Sequence, residues 1–351
     1  MTLLRPWSEI SGRFRHSLLI GNGASRAVSE SFAYESLLEV AGRPSQVQPL
    51  DARDRQVFEL VNETDFERVL GEIDRAQSIA RLAGVSDLDA LAEQYVRVRS
   101  SLIDAVHTVH PLYADLSSNR LERVRDSLLH FASVFTTNYD LLLYWAMTAG
   151  GGSRLDRFRD YFWNPEISFD LTDTGVAPGK TRVLYLHGGL HLFDPPDGST
   201  VKASGSEGDS AWSVYSPLLA LTFHYRGATY PLFVAEGSSG RKLTAITSND
   251  YLNFAYSEWI GHFLPQTSPF ESLVVFGHSL GTGDEHLVRP AIAQLQQAER
   301  RGEPLPEIAV SLRPDNSTAL DARKQYYRAR LGRDEVEFFD ASTHPLGFPP
   351  S

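Results

Sequence analysis

Short apolar runs alternate with amphipathic stretches along most of the chain. Each run is rich in Leu, Ile, Val or Phe, and a polar cluster usually follows it before apolar residues recur at helical spacing. The predicted strands are residues 17–20, 133–136, 182–186, 243–246, 272–276, 308–312 and 336–339, and helices are predicted through 32–40 and at 141–147, 251–260 and 319–331. Strands that alternate with helices are typical of βαβ units. We therefore expect an α/β fold with a Rossmann-like, mostly parallel sheet and helices on both faces.

Residues 51–130 break this alternation. Their apolar positions recur at the spacing of amphipathic helices, and charged residues fill the gaps. We predict a helical insertion or cap here, within a Rossmann-like domain formed by residues 1–50 and 131–351. Asp65 and Glu67 of this segment are expected to be solvated or to cap a helix rather than to take part in catalysis.

Composition and charge narrow the classes of function. The 351 residues are 42% hydrophobic and 22% charged, which is an ordinary globular mixture. No apolar stretch is long enough for a membrane span or a secretory signal, so we expect a cytoplasmic protein. The net charge of −11 disfavours general nucleic-acid binding. The chain has no cysteine, which excludes disulfides, cysteine-ligated zinc and thiol nucleophiles.

Four predicted strands end in polar clusters that carry the candidate chemistry. These are GNGAS at 21–25, TTNYD at 136–140, HGG at 187–189 and GHSLGTGDEH at 277–286. In open parallel sheets, ligands bind beyond the carboxyl ends of the strands. Because all four clusters occupy that position, we expect one site built from four loops.

Each cluster has a functional interpretation and a purely local one. Gly21 suits a tight turn, and Gly23 lacks the Cβ that would keep a phosphate from the start of the next helix. His187 has a side chain suited to general base catalysis near neutral pH. Asn138 and Asp140 fit an Asx turn and a helix cap as well as a binding role. Single motifs therefore leave the choice open.

One family resemblance points to an esterase. The segment 277–281 reads GHSLG, which resembles the nucleophile elbow of α/β-hydrolases, and HGG resembles their oxyanion loop. Ser279 would be the nucleophile, with Asp315 or Asp340 and His344 completing a triad. The polar start of the next helix and the long separation between HGG and GHSLG disfavour this interpretation. It also leaves GNGAS and TTNYD unexplained.

A second resemblance covers about residues 17–290. GNGAS resembles the phosphate loop of the sirtuin-like superfamily, TTNYD its T-Q-N-x-D motif, and LHGG the segment with its catalytic histidine. GHSLGTGDEH resembles a late motif of the bacterial branches, and the four motifs occur in the right order. Deacetylating sirtuins carry a zinc module with four cysteines, which this chain lacks. It is similar instead to the zinc-free, NAD-consuming branch found in antiphage defence.

The sirtuin-like resemblance implies a substrate and a set of roles. NAD would be the substrate, no metal would be needed, and Asn138 and His187 would be the catalytic residues of an NAD glycohydrolase. A non-catalytic sensor of NAD or ADP-ribose is the alternative within the same resemblance. Whether the chain forms a homo-oligomer or binds a partner protein of a defence system stays open. The residues implied in NAD binding are Gly21, Asn22, Gly23, Ser25, Thr137, Asp140, Gly277, His278, Ser279 and Asp284.

Overall fold

A parallel sheet of eight strands organises the fold. In this computed structural model, the described residues are 4–149, 157–162, 164, 167–174, 179–195, 199–203, 231–235, 237–263 and 271–347. The strands of the sheet are β1 (Arg5–Pro6), β2 (Ser17–Ile20), β3 (Ser133–Thr136), β4 (Phe158–Arg159), β5 (Thr181–Tyr185), β9 (Ser272–Phe276), β10 (Glu307–Leu312) and β11 (Glu337–Asp340). All their pairings are parallel. The predicted Rossmann-like α/β class is confirmed.

The strand order places the four polar clusters side by side. The order is β1-β11-β10-β9-β2-β3-β5-β4. Strands β9, β2, β3 and β5 are therefore consecutive neighbours, and Leu18 of β2 pairs with Val134 on one side and Val274 on the other. The chain leaves β2 towards β3 and returns later through β9. This reversal is a topological switch point, where open α/β sheets form their ligand crevices.

Twelve helices flank the sheet or lie beside it in the described part of the chain. They are α1 (Trp7–Ile10), α2 (Gly23–Val28), α3 (Tyr34–Ala41), α4 (Ala52–Val61), α5 (Phe66–Leu82), α6 (Asp89–Val109), α7 (Ser118–Leu128), α8 (Leu142–Thr148), α9 (Ser239–Ser248), α10 (Asp250–Gly261), α11 (Glu285–Arg300) and α12 (Ser317–Leu331). None of the helices in these described segments combines the length and the apolar composition needed to cross a bilayer.

One sequence prediction of local structure is wrong. Residues 243–246 were expected to form a strand but lie within α9, whose N-cap Ser238 accepts the Arg241 N–H. Lys242 and Ile246 are buried on one side of this helix, and i, i+4 spacing is helical rather than strand-like. The helix predicted through 32–40 is observed as α3, which begins at Tyr34 after a short 3-10 turn at Glu30–Phe32.

The helical segment has a core that is largely separate from that of the sheet. Helices α3 to α6 pack with one face of α8 and with a small antiparallel sheet in the order β7-β6-β8, formed by Val201–Lys202, Gly188–Phe193 and Pro231–Phe233. Helix α7 instead buries its apolar side chains in the core of the main sheet. Asp51 and Asp54 form a capping box at the start of α4. The domain boundaries at 51 and 130 stay predictions.

Candidate functional site

A cavity of about 280 Å³ lies beyond the carboxyl ends of β9, β2, β3 and β5. All four polar clusters contribute to its wall. Of the twelve residues predicted for the site, all but Gly21 and Ser25 line it. The predicted residues in the wall are Asn22, Gly23, Thr137, Asn138, Asp140, His187, Gly277, His278, Ser279 and Asp284. The loops that the motifs singled out therefore converge on one cavity.

The glycines of the first and last clusters interlock two loops. The Gly21 N–H donates to Phe276 O at 2.9 Å, and the Gly23 N–H donates to Gly277 O at 2.8 Å. A Cβ on Gly23 would lie 2.6 Å from the Gly277 Cα, and Gly277 itself has a φ of +65°. These two N–H groups are thus used within the protein and do not face a phosphate. Contact between the loops, rather than access for a phosphate, is what requires glycine.

A buried chain of hydrogen bonds fixes the orientation of Asn138. The Ser25 hydroxyl donates to Asp140 Oδ2, and Asn138 Nδ2 donates to Ser25 Oγ at 2.8 Å. A hydroxyl has one proton, so Ser25 can only accept from Asn138. The amide nitrogen is therefore held on Ser25. The Asn138 Oδ1 atom is buried and has no hydrogen-bond partner among the described residues.

Ser25 and Asp140 position Asn138 and the start of α8, and of these two residues only Asp140 lines the cavity. The Ser25 side chain is buried outside the cavity wall. Both Asp140 oxygens are occupied, because Oδ1 accepts the Leu142 N–H at 2.9 Å at the start of α8. Burial raises the pKa of Asp140, while the bonds from Ser25 and Leu142 stabilise its ionised form.

His187 lies at the corner where the chain passes from the main sheet into the small one. Gly188 makes this corner possible, since its φ is +78° and a Cβ there would lie 2.1 Å from Leu232 O. His187 Nε2 is 3.0 Å from His286 Nε2. Its Nδ1 has no hydrogen-bond partner in the described segments. Burial, and then the charge of Lys242, lower the pKa of His187 well below its ordinary value. Nδ1 of a neutral imidazole is thus the atom left for a ligand.

An ionic network joins the helical segment to the sheet beside His187. Lys242 on α9 is 1% exposed and donates to Glu67 Oε2 at 2.6 Å and to Asp284 Oδ1 at 3.0 Å. Burial opposes the charged form of Lys242, but the two carboxylates raise its pKa above the ordinary value. Burial likewise disfavours ionised Asp284, but Lys242 and the nearby histidines lower its pKa. Both partners are therefore charged.

The two acidic residues of the helical segment differ in role. Asp65 accepts the Glu67 N–H at 2.9 Å and caps α5, as predicted. Burial and the charge of Glu67 raise the pKa of Asp65 to about 7. Glu67 is not solvated, because its side chain is 17% exposed, lines the cavity and lies 2.8 Å from the Tyr139 hydroxyl as well as bonding Lys242. The expectation that Glu67 is solvated is therefore wrong.

His278 and Asp284 lie on the same side of the cavity. His278 Nδ1 accepts the Leu280 N–H at 3.0 Å, so the proton of the neutral ring is on Nε2. This Nε2 lies 3.4 Å from Asp284 Oδ2. Burial lowers the pKa of His278, and the charge of Asp284 opposes that shift. Asp284, one of the residues implied in NAD binding, also has its Oδ1 atom 3.9 Å from His187 Nε2.

One group of side chains in the described residues has the spacing of a metal site. Ligand atoms of His187, Asp284 and His286 lie within 4.8 Å of one another. The Lys242 ammonium group already bonds Asp284 Oδ1. A divalent cation at this position would meet that positive charge at close range, so the contacts favour an internal ion pair over a metal.

A wider groove opens from the cavity across the end of β10. It measures about 1030 Å³ and shares Gly23, Arg26, Gly277 and Ser279 with the cavity wall. The groove is lined further by Ser311, Arg313, Pro314, Arg323, Tyr326 and Tyr327. Arg26 and Arg313 both bond the same carboxylate, that of Glu30, at 2.8 and 2.9 Å. One carboxylate between two guanidinium groups leaves a net positive charge in the groove.

The residues proposed for a hydrolase triad have other partners. Asp340 accepts the Ser342 N–H at 2.8 Å, and His344 Nδ1 accepts the Leu346 N–H at 3.1 Å. Asp315 pairs with Arg323 at 2.8 Å. Ser279 has no hydrogen bond to a histidine within the described ranges. These contacts provide no base for Ser279 and favour a binding role for its hydroxyl.

Sequence reasoning missed several residues of the site. Lys242 was placed beside a predicted strand, and no local motif marks it. His286 does carry a signal, because it ends the D-E-H part of the fourth cluster, but no role was assigned to it. The apolar part of the cavity comes from helices and turns outside the motifs: Phe32, Tyr34, Leu37, Leu102 and Val106.

Fold and site together define a class: a Rossmann-like α/β protein with a cavity at the carboxyl edge of a parallel sheet, partly lined by helices. The chain belongs to the family described as Domain of unknown function (DUF4917), whose model matches residues 18–346. The match includes the helical segment as well as the sheet. A comparison with curated proteins found no similar sequence.

Proposed function

We propose that this protein is a sirtuin-like NAD glycohydrolase, which cleaves the bond between nicotinamide and ribose. One observation carries the proposal. Asn138 follows β3, His187 follows the neighbouring β5, and both residues line the same cavity. On each of these two side chains one polar atom has no hydrogen bond within the described residues, Asn138 Oδ1 and His187 Nδ1.

The cavity and the groove suit the two ends of a dinucleotide. Sites for small ligands are roughly 300 to 1,000 Å³. The cavity, at about 280 Å³, has room for one end of NAD, and its apolar wall of Phe32, Leu37 and Leu102 suits the flat nicotinamide ring. The groove, at about 1030 Å³, has room for the adenosine end. Arg26 lines both openings and would meet the phosphates between them.

The charge of the cavity suits the chemistry. NAD carries its positive charge on the nicotinamide ring, and the transition state of cleavage places positive charge on the ribose. Glu67 and Asp284 provide two carboxylates against the single ammonium of Lys242. The excess negative charge would stabilise both cations.

The reaction balances with one water molecule. The C1′–N bond breaks, and nicotinamide leaves as a neutral molecule with the bonding electrons. A water oxygen forms the new bond to C1′ and yields ADP-ribose. His187 Nδ1 takes one proton from this water, and Asn138 Oδ1 orients the water by accepting a hydrogen bond from its other proton. No general acid is needed for the leaving group.

Incubation of the protein with NAD tests the proposal. We expect release of nicotinamide and ADP-ribose, measured by liquid chromatography, and a higher melting temperature in the presence of ADP-ribose. A melting shift without any nicotinamide release would indicate the alternative, a sensor. Labelling of Ser279 by a fluorophosphonate would indicate the esterase. If the protein shows no turnover of NAD and no melting shift with ADP-ribose, the NAD assignment is overturned.

The pH dependence of turnover follows from the burial of His187. An ordinary histidine with a pKa near 6.5 would be about three-quarters protonated at pH 6 and would lose that share of its activity as a base. Because the pKa of His187 is lowered well below this value, the neutral base persists. We expect equal kcat/KM at pH 8 and pH 6, with circular dichroism confirming the folded state. A fourfold fall at pH 6 in folded protein would contradict this.

A further inference from the structure

His286 is a second histidine that the proposed reaction does not use. Its Nε2 faces the Nε2 of His187 at 3.0 Å, and the two rings lie at 27° with their centroids 5.1 Å apart. Two imidazole nitrogens at this separation must be one donor and one acceptor. A single proton therefore lies between the two rings.

Only one of the two arrangements of this proton leaves His187 as a base. If His286 were the donor, neutral His187 would carry its own proton on Nδ1, the atom that is free for the cavity. If His187 is the donor, its Nδ1 holds a lone pair. His286 then carries its proton on Nδ1, which lies 3.4 Å from Ser239 Oγ. Ser239 is partly exposed at the start of α9. In this second arrangement a chain of hydrogen-bonding groups, His187, His286 and Ser239, therefore connects the cavity to the solvent.

We propose that His286 is a proton relay, which carries the proton taken up by His187 out of the buried site by way of Ser239. The proposal rests on the proposed function, since it takes His187 as the base. In the step, His187 Nδ1 gains the proton of the attacking water and its Nε2 proton passes to His286 Nε2. The Nδ1 proton of His286 passes to Ser239 and on to bulk water. Both rings end this step in the opposite tautomer. When the product leaves and water enters the cavity, the Nδ1 proton of His187 passes to that water and the relay runs in reverse, which restores the starting tautomers. The net result of the cycle is one proton released for each NAD cleaved.

The surroundings of the pair explain why a relay is needed. His187 is 2% exposed, so a proton held on it has no direct route to bulk water. The charged groups nearest the pair in the described residues are Lys242 on α9 and Asp284 in the turn before α11. Burial, and then Lys242, lower the pKa of His286 to about 4, and the opposing effect of Asp284 does not offset them, so a lasting imidazolium is disfavoured. His286 acts on the substrate only through His187, and it is a positioning residue in that sense.

Kinetics of the whole chain in H₂O and D₂O test the relay. We expect the wild-type kcat in mixtures of the two solvents to follow a curve, because more than one proton moves in the same step. H286Q keeps a hydrogen-bonding group beside His187 but cannot pass a proton through its side chain. We expect its kcat to fall by about 100-fold, its KM for NAD to stay within threefold, and its dependence on D₂O to become linear.

Chemical rescue separates a relay from a merely structural role. H286A leaves a space beside partly exposed Ser239, and added imidazole should restore at least a tenth of the wild-type kcat. A linear wild-type dependence on D₂O, or wild-type kcat in folded H286Q, would overturn the relay. So would loss of wild-type activity on chelation with return on Zn²⁺, since a metal would use the same nitrogens. Failure of the proposed function is distinct, because wild-type protein would then release no nicotinamide.

Discussion

H187Q will lose nicotinamide release by about 10²- to 10⁴-fold, the usual contribution of a general base. Glutamine is close to histidine in size and can still bond His286, but it cannot take a proton from water. Because His187 is neutral, the substitution removes no charge from the site, and ADP-ribose should still raise the melting temperature. N138A should also lose about 10²-fold or more, since the attacking water would no longer be oriented. Steady-state release of nicotinamide measures both effects.

A matched control separates loss of chemistry from loss of folding. His191 lies four residues after His187 on β6, is also buried, and does not line the cavity. H191Q therefore perturbs the same part of the fold without touching the proposed site. We expect this variant to retain most of the activity per folded molecule. Equal losses in H187Q and H191Q would show that the cavity is not the site of cleavage.

Mild acid will unfold this protein steeply. Burial lowers the pKa of His110 and His286 to about 4 and that of His191 and His344 to about 3. The unfolded chain binds protons at these residues below about pH 6.5, whereas the folded protein does not until far lower pH. Their stabilising effect is therefore complete above pH 6.5 and is lost as the pH falls towards 4. The loss is at most about 5 kcal/mol per pH unit, and typical domains have only about 5 to 15 kcal/mol in total.

Urea unfolding at pH 8, 6.5, 6 and 5.5 measures how the free energy of unfolding depends on pH. The variant H344F isolates the contribution of His344 to this dependence. The His344 ring packs with Trp7 and Phe276 at centroid distances of 4.7 and 5.0 Å, so phenylalanine suits its surroundings. The variant should lose about 1 kcal/mol at pH 8, because the bond from the Leu346 N–H is gone. Below pH 6.5 its free energy of unfolding should fall less steeply with pH, because unfolding of the variant takes up about one proton fewer. An unchanged slope would contradict the role of His344.

The sequence predicts the main sheet well because its strands are buried on both faces. Residues 17–20, 133–136 and 272–276 are apolar runs with turn signals on either side, and the observed strands have the same bounds. Residues 243–246 have the same local appearance, yet they form part of a helix. Their helical conformation depends on the capping residue Ser238 and on the tertiary contacts of Lys242, and neither is visible in the local pattern of apolar residues.

The sequence predicted which loops line the cavity better than it predicted what each of their polar side chains contacts. The four motifs identified the loops, because polar residues that follow neighbouring parallel strands lie at the same edge of the sheet. The use of each polar atom depends on its partners. Ser25 carried the signal of a phosphate loop, but its hydroxyl lies between Asp140 and Asn138. Glu67 and Lys242 are 175 positions apart, and only the folded chain brings them together.

The bond between Lys242 and Glu67 has a consequence for the evolution of the family. A descendant that lost only the carboxylate at 67 would keep the buried ammonium of Lys242 with Asp284 as its remaining carboxylate in the described residues. Loss of the acidic side chain at 67 should therefore be tolerated best together with replacement of Lys242 by a neutral side chain. Among members of the family, the acidic residue at 67 and the basic residue at 242 should be inherited or discarded as a pair.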